Sequence, residues 1–397
     1  MPKLTIQDLD VKGKKVLMRV DFNVPVENGI ITDDNRITEA LPSINYVTSN
    51  GGLVILMSHF GRPKSADDKE YSLQIVADHL ATKVDNKVHF ASDCIGEPAT
   101  TTIAAASFGE IVLLENVRFH KGETQNDPDF SKALAALGDV FVNDAFGSSH
   151  RAHSSVAGIT DYIQPATAGF LLEKEIKYLN ESVNSPKRPF VAVLGGAKVS
   201  DKIPVIENLL DKVDTIIIGG GMTYTFYKAM GLPIGNSILE EDRVSLAEEL
   251  MNKALDKNVK IMLPVDSMVA KEFKNDTEHK VVEADGIEDG WMALDIGPKT
   301  IDNYAKTILK AGTVIWNGPM GVFEMESFST GTFSVARALA DATQKGTISI
   351  IGGGDSAAAI KKAGLDKEVT HVSTGGGASL EYLEGKDLPG ITCLTDK

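Results

Sequence analysis

Cysteine is nearly absent, with Cys94 and Cys393 the only two in 397 residues. Two thiols cannot build a disulfide framework, so a reducing compartment and a cytoplasmic protein are expected. Long apolar runs are missing as well. No stretch approaches the ~20 residues that a membrane-spanning helix needs. The opening MPKLTIQDLDVKGKKVLMRV scatters charges through every candidate apolar stretch, which argues against a secretory signal. Positive charge is in deficit, the formal balance being −15. A nucleic-acid binder needs a broad basic surface, so no nucleic-acid partner is expected. Arginine is scarce, with eight among forty basic residues, yet five of those eight fall within the first 151 positions. An acidic chain can still bind a small anion if it gathers its basic groups in one cleft. Short-period repeats and low-complexity tracts are absent too.

What remains is a chain long enough for two domains of ~150–200 residues each. Short runs rich in Val, Ile and Leu recur at 15–20, 53–57, 111–114, 140–142, 190–194, 215–218, 260–263, 313–316, 347–351 and 369–372. Helix-length segments such as Ser72–Thr82, Pro128–Leu137 and Val244–Leu255 lie between them. Buried strands alternating with helices predict an α/β fold with parallel sheets. Such sheets bind ligands beyond the carboxyl ends of their strands, so loops just after strands are where chemistry belongs. One segment breaks the alternation. Leu172, Ile176, Leu179 and Val183 follow helical spacing, with Pro165 before them and Pro186 and Pro189 after. This helix, near the middle of the chain, is the expected domain connector.

In the first half, polar groups cluster in the expected strand-end loops. They are Asp21 and Asn23 in RVDFNVP, His59 and Arg62 in SHFGRP, Arg118 in ENVRF, Asp144 in VNDAFG, and Arg151 and His153 in HRAHSS. Arg36 joins them by chemistry. A guanidinium offers a planar fork of donors that matches carboxylate and phosphate oxygens. Several such forks converging would suit a ligand with several negative charges. Each arginine alone could be an ordinary surface residue, and His59 and His153 could be structural. Asp144 could touch a ligand or orient a neighbouring arginine.

The second half carries glycine clusters after strands: GGAKVSDK at 195–202, GGGM at 219–222, GGGDS at 352–356 and TGGGAS at 374–379. Glycine lets backbone N–H groups approach phosphate oxygens, and a following helix N-terminus favours anions. No segment matches the G-x-x-x-x-G-K-[ST] phosphate loop. The loop at 352–357 nominally fits a dinucleotide turn, but Asp355 would repel a bare pyrophosphate. It becomes useful with a magnesium ion between carboxylate and phosphates. Ser356 is better placed to cap the following helix than to act as a nucleophile. Lys198 and Lys202, four apart, could neutralise phosphate oxygens as point charges. After another strand, Asn317, Pro319 and Glu324 lie in WNGPMGVFE; Glu324 could hold ribose hydroxyls or cap a local turn.

Together these segments resemble the phosphoglycerate kinase family over essentially the whole chain. RVDFNVP, SHFGRP, ENVRF, HRAH, GGAKVSDK, GGGM, NGPMGVFE, GGGDS and STGGGASLE occur in that family's order. The resemblance implies two similar-sized Rossmann-like lobes, each a parallel sheet covered by helices. The phosphoglycerate lobe would be 1–170 with a returning tail of about 377–397. A helix at 171–186 would lead to a nucleotide lobe at 187–376. It also implies that Asp21, Phe22, Asn23, Arg36, His59, Phe60, Gly61, Arg62, Arg118 and Arg151 hold 3-phosphoglycerate or its 1,3-bisphosphate. Lys202, Gly219, Gly220, Ala293, Asn317, Pro319, Glu324, Gly353, Gly354, Asp355 and Ser356 would hold ADP or ATP, with Asp355 near Mg²⁺. Arg36, Lys198, Gly352 and Gly375 would stabilise the migrating phosphoryl group, and the enzyme would be monomeric. Two positions depart from the usual pattern: Ala293, where many family members carry glycine, and Phe60, usually leucine.

A carboxylate acceptor is already ionised at neutral pH, so no general base is needed. Catalysis would rest on alignment, hinge closure and charge stabilisation at the phosphoryl oxygens. Two other classes compete. An NAD-dependent oxidoreductase would need an acidic residue ~20 positions past the glycine turn, and none convincing is present. A non-catalytic anion-binding protein would leave the glycine loops, Lys198 and Asp355 without a purpose.

Overall fold

The structure, a computed structural model, describes residues 2–397. The chain forms two compact units, one reaching to Ile176 and including Asp387–Lys397, the other spanning Lys177–Lys386.

The first unit holds a six-stranded parallel sheet of β1 (Lys15–Arg19), β2 (Leu53–Met57), β3 (Val88–Ala91), β4 (Ile111–Leu114), β5 (Val140–Asn143) and β6 (Ala166–Ala168). The spatial order is β3-β4-β2-β1-β5-β6. Every residue of β2, β4 and β5 is buried. Crossover helices cover both faces of a parallel sheet, which is why these strands read as unbroken apolar runs. The chain winds outward from β1 in both directions, so a topological switch point lies between β1 and β5. The C-terminal return is stitched to the chain's beginning: Leu4 N–H donates to the Thr395 carbonyl and Lys397 N–H to that of Pro2, both at 2.9 Å.

The second unit contains β7 (Phe190–Leu194), β8 (Thr215–Ile218), β9 (Lys260–Met262), β10 (Asp266–Ala270), β11 (His279–Glu283), β12 (Met292–Ile296), β13 (Thr313–Asn317), β14 (Ile348–Gly352) and β15 (His371–Val372). Its parallel sheet runs β9-β8-β7-β13-β14-β15, with the switch point between β7 and β13. A separate antiparallel sheet, β11-β10-β12, sits beside it.

Each of the ten apolar runs singled out in the sequence overlaps a strand. The short β3 and β6, reading VHFA and ATA, do not stand out in the sequence, nor does the antiparallel sheet, whose β11 alternates in exposure. The helix Phe170–Asn184 has the expected spacing, and Leu172, Leu179 and Val183 are buried. The division between units falls inside it, after Ile176. Residues 377–386, expected with the returning tail, lie in the second unit, where the helix Gly377–Leu383 packs on Ile203–Leu209. The return therefore starts at Asp387.

Candidate functional site

In the first unit, strand ends deliver a connected basic cluster at the switch point. β1 ends in Arg19, whose guanidinium is buried. Its Nε–H donates to Ser155 Oγ at 2.8 Å and its Nη2–H to His59 Nδ1 at 3.1 Å. Ser155 in turn donates to the fully buried Glu123 carboxylate at 2.7 Å, giving the buried cation a counter-charge nearby. Just beyond β1, Asp21 pairs with Arg36 at 3.0 Å. Burial alone would raise the Asp21 carboxyl, but Arg36, His59 and Arg19 outweigh it and hold it below the usual range. Asn23 accepts from the Gly61 N–H at 2.8 Å, and Arg118 donates to the Gly61 carbonyl at 2.7 Å. Gly61 has φ +60, and a Cβ there would lie 2.1 Å from the Tyr71 ring, so glycine is required.

Positive charge here is stored under tension. Burial, with Arg19 and Arg151 close by, brings the Arg118 guanidinium down to about 10. Burial and the neighbouring arginines push His153 to about 4, and they hold His59 well below its ordinary value. Arg118 Nε is buried without a partner among the described residues. An arriving anion would offset the cost of keeping Arg118 charged. Arg62 and Arg151 are exposed, Arg151 bonding to His150 at 3.0 Å. Phe22 and Phe60 are core side chains whose backbone groups already serve Ser58 and Asn116. They hold the loops and offer no side-chain group to a ligand. Asp144 neither faces a ligand nor orients an arginine; it accepts from the Leu171 and Leu172 N–H groups at 2.9 and 3.2 Å, at the start of the helix Phe170–Asn184.

In the second unit, loops after β7, β13, β14 and β15 converge on a cavity of about 370 Å³. Gly196, Lys198, Lys202, Asn317, Gly353 and Asp355 are among its walls. Lys202 donates to Asn317 Oδ1, while Asn317 Nδ2 is buried without a partner among the described residues. Burial lowers the Lys202 ammonium, a cost opposed by Asp201 and Asp355. Gly353, at φ +88, precedes the nine-residue helix Gly354–Lys362, and a Cβ there would come within 3.0 Å of that orphan amide. Gly353 and Gly354 thus place bare backbone at a helix N-terminus, where anions are favoured. Ser356 does not cap that helix: Gly353 is the capping residue, and the Ser356 hydroxyl accepts from the Gly318 N–H at 2.6 Å.

A second cavity of about 500 Å³ shares Gly196, Ala197 and Asp355 with the first. Its walls are mostly apolar and include Gly220, Ile238, Ala293, Leu294, Pro319 and Val322, with the exposed Glu324 at its edge. Strand β12, missed in the sequence, supplies its floor. Of the glycines expected here, Gly220 lines it, whereas a Cβ on Gly219 would meet Met320 Sδ at 2.5 Å, marking Gly219 as a packing position. Gly352 and Gly375 are buried behind the first cavity, and the Gly375 N–H donates to Ser373 Oγ at 3.1 Å; Gly353, Gly354, Gly376 and Gly377 form the wall instead.

Reasoning from sequence missed Arg19, Glu123 and Ser155 in the first unit, and Tyr224, Asn236 and Phe273 in the second. For Arg19 a signal existed: a charge inside the apolar run KVLMRV. The other five carry none.

Comparison with known proteins matches residues 6–386 to the family described as phosphoglycerate kinase. A curated phosphoglycerate kinase of Chlorobium phaeobacteroides (strain BS1) is 57% identical over 100% of both chains. The solved phosphoglycerate kinase of Coxiella burnetii superposes with a TM-score of 0.90 at 43% identity, covering 99% of this chain and 98% of that one. That of Pyrococcus horikoshii OT3 gives 0.85 at 34% identity, covering 98% of each.

Proposed function

The chain belongs to the phosphoglycerate kinase family, and on that premise we propose how its residues divide the reversible phosphoryl transfer between 1,3-bisphosphoglycerate and ADP. The observation that carries the assignment is the pair of adjoining cavities in the second unit, one polar and lysine-lined, one apolar. The polar one suits a phosphate chain. The apolar one suits a purine, with Glu324 at the ribose.

On the first unit, Arg36, Arg118 and His59 bind the phosphoglycerate anion, with Arg62 and Arg151 closing over it from solvent. Asp21 and Asn23 orient Arg36 and the Gly61 loop. The acceptor carboxylate is ionised at neutral pH, so these residues need move no proton. Lys198, exposed at the cavity wall, meets the charge that develops on the transferring phosphoryl oxygens. The exposed Asp355 carboxylate lines both cavities and fits Mg²⁺, which takes one or two carboxylates together with phosphate oxygens. When bound, the ion supplies neutralising charge at the nucleotide phosphates. Because donor and acceptor bind to different units, turnover requires hinge closure, which also keeps water from the acyl phosphate.

We place the enzyme in the cytoplasm as a monomer. Both cysteines are free, and no helix among the described residues is long and apolar enough to cross a membrane. Calorimetry with ADP and Mg²⁺, with and without chelator, tests the nucleotide assignment on wild type and Asp355→Asn. Tight binding that ignores both the metal and the substitution overturns the role of Asp355.

A further inference from the structure

Arg19 is too deeply buried, at 1% exposure, to be a surface anion trap. Its guanidinium is instead fixed from several directions. Nε–H donates to Ser155 Oγ at 2.8 Å, an Nη1–H donates to the Val20 carbonyl, and Nη2 reaches both His59 Nδ1 at 3.1 Å and Ser148 Oγ at 3.5 Å. Ser155 is itself held by two bonds to Glu123. The guanidinium is therefore immobile, and one of its N–H groups is aimed at one ring nitrogen of His59.

That contact has a chemical consequence. Arginine carries donors only and does not lose its proton in proteins. His59 Nδ1 must then accept, so the single ring proton of the neutral imidazole resides on Nε2. A second proton would have to go on Nδ1, against the guanidinium. Asp21 Oδ1, the nearby carboxylate, lies 4.0 Å from the same nitrogen, beyond hydrogen-bond reach. We propose that Arg19 is a positioning residue that fixes His59 as the neutral Nε2–H tautomer and so presents a donor to an anionic oxygen of phosphoglycerate. Among the described residues His59 Nε2 has no protein acceptor, which leaves that donor for the ligand. The proposal rests on the assignment of His59 to the phosphoglycerate site.

Nitrogen-15 NMR of histidine-labelled full-length protein decides the tautomer without any substitution. The expected spectrum shows His59 with Nδ1 at the unprotonated, pyridine-like end and Nε2 at the protonated, pyrrole-like end, unchanged across about pH 6–8. A ring protonated on Nδ1, or on both nitrogens at neutral pH, overturns the proposal. Adding 3-phosphoglycerate should then shift the Nε2 resonance and leave Nδ1 nearly still. If Nε2 does not respond while the tautomer is as stated, the site assignment of His59 is what fails. Arg19→Met should release the ring to a tautomer mixture and raise KM for 3-phosphoglycerate by ~2–10-fold, the value of one hydrogen bond, with a smaller change in kcat. Arg19→Lys, which keeps a donor and a charge, should recover much of the tautomer bias. Should Arg19→Met fail to fold, the wild-type spectrum still decides between the two tautomers.

Discussion

On the proposed assignment, the two units hold a multiply charged anion with different materials. The first uses side chains: guanidinium forks and histidines gathered at the ends of β1, β2 and β4, with buried Glu123 and Asp21 as counter-charges. The second uses backbone: glycine turns and the start of the helix Gly354–Lys362, supplemented by Lys198 and Lys202. A side-chain site concentrates like charge at the cost of depressed basicity, as Arg118 and His153 show. A backbone site is almost neutral before the ligand arrives and demands instead that no Cβ intrude. The first should be sensitive to charge deletion and salt, the second to added bulk.

The largest effect should come from Lys198, an exposed charge in the cavity wall proposed to act on the transferring phosphoryl group more than on the bound nucleotide. Lys198→Ala is expected to lower kcat by ~10²–10³-fold, the usual loss for one transition-state donor, while ADP affinity stays within about twofold. Steady-state kinetics with calorimetry checks both halves, and an unchanged kcat removes Lys198 from catalysis. Next, Arg36→Ala should cost ~10–100-fold in kcat/KM for 3-phosphoglycerate, since charged hydrogen bonds are worth ~1.5–3 kcal/mol. Both KM and kcat should suffer. A defect confined to ADP binding would reverse the assignment of the two units.

The contrast between materials also explains what the sequence could reveal. Arginines such as Arg36 and Arg118 announce themselves by type and position after apolar runs. Glycine clusters announce backbone sites, and Gly353–Asp355 was legible for that reason. What a residue does with its backbone is less visible: Gly352 and Gly375 look identical to Gly353 and Gly376, yet only the latter two line the cavity. Side chains recruited from far along the chain are harder still. Ser155 meets Arg19 across 136 positions, and the apolar cavity draws on β12, a strand of the antiparallel sheet that a parallel α/β pattern does not suggest. The fold was legible because buried parallel strands leave unbroken apolar runs. The antiparallel sheet was not, because β11 alternates in exposure and the buried β10 and β12 carry Asp266, Ser267 and Asp295, which interrupt any apolar run.

A smaller effect separates the units by ionic strength. Salt weakens attraction between exposed charges and largely screens it beyond a Debye length, ~10 Å at 0.1 M, whereas buried groups are screened much less. Raising salt from about 0.05 to 0.3 M should therefore increase KM for 3-phosphoglycerate several-fold, through the exposed Arg62 and Arg151. KM for ADP at saturating Mg²⁺ should change less. Equal slopes in initial-rate measurements would dissolve the distinction between a charge-built and a backbone-built site.

The smallest expected effect concerns a feature that both units share. Asp144 and Asp295 are buried carboxyls, each pushed up to about 7 by burial despite accepting backbone N–H bonds. Asp144 accepts from Leu171 and Leu172 at the start of Phe170–Asn184, and Asp295 from Gly331 at the start of Thr330–Gln344. A carboxyl raised in the folded state binds its proton there at pH values where the unfolded chain, near its ordinary ~4, has already released it. The stability this provides is complete below pH ~4 and is lost as pH rises to about 7, where the buried group must ionise. Asparagine keeps the accepting oxygen and cannot ionise. The melting temperature of Asp144→Asn relative to wild type should thus improve by a few degrees between pH 5 and 8, and Asp295→Asn should behave alike. If the difference is flat with pH for one unit and sloped for the other, the helix-start carboxyls are not equivalent, and the one without a slope is ionised throughout, held by its N–H donors more firmly than burial opposes it.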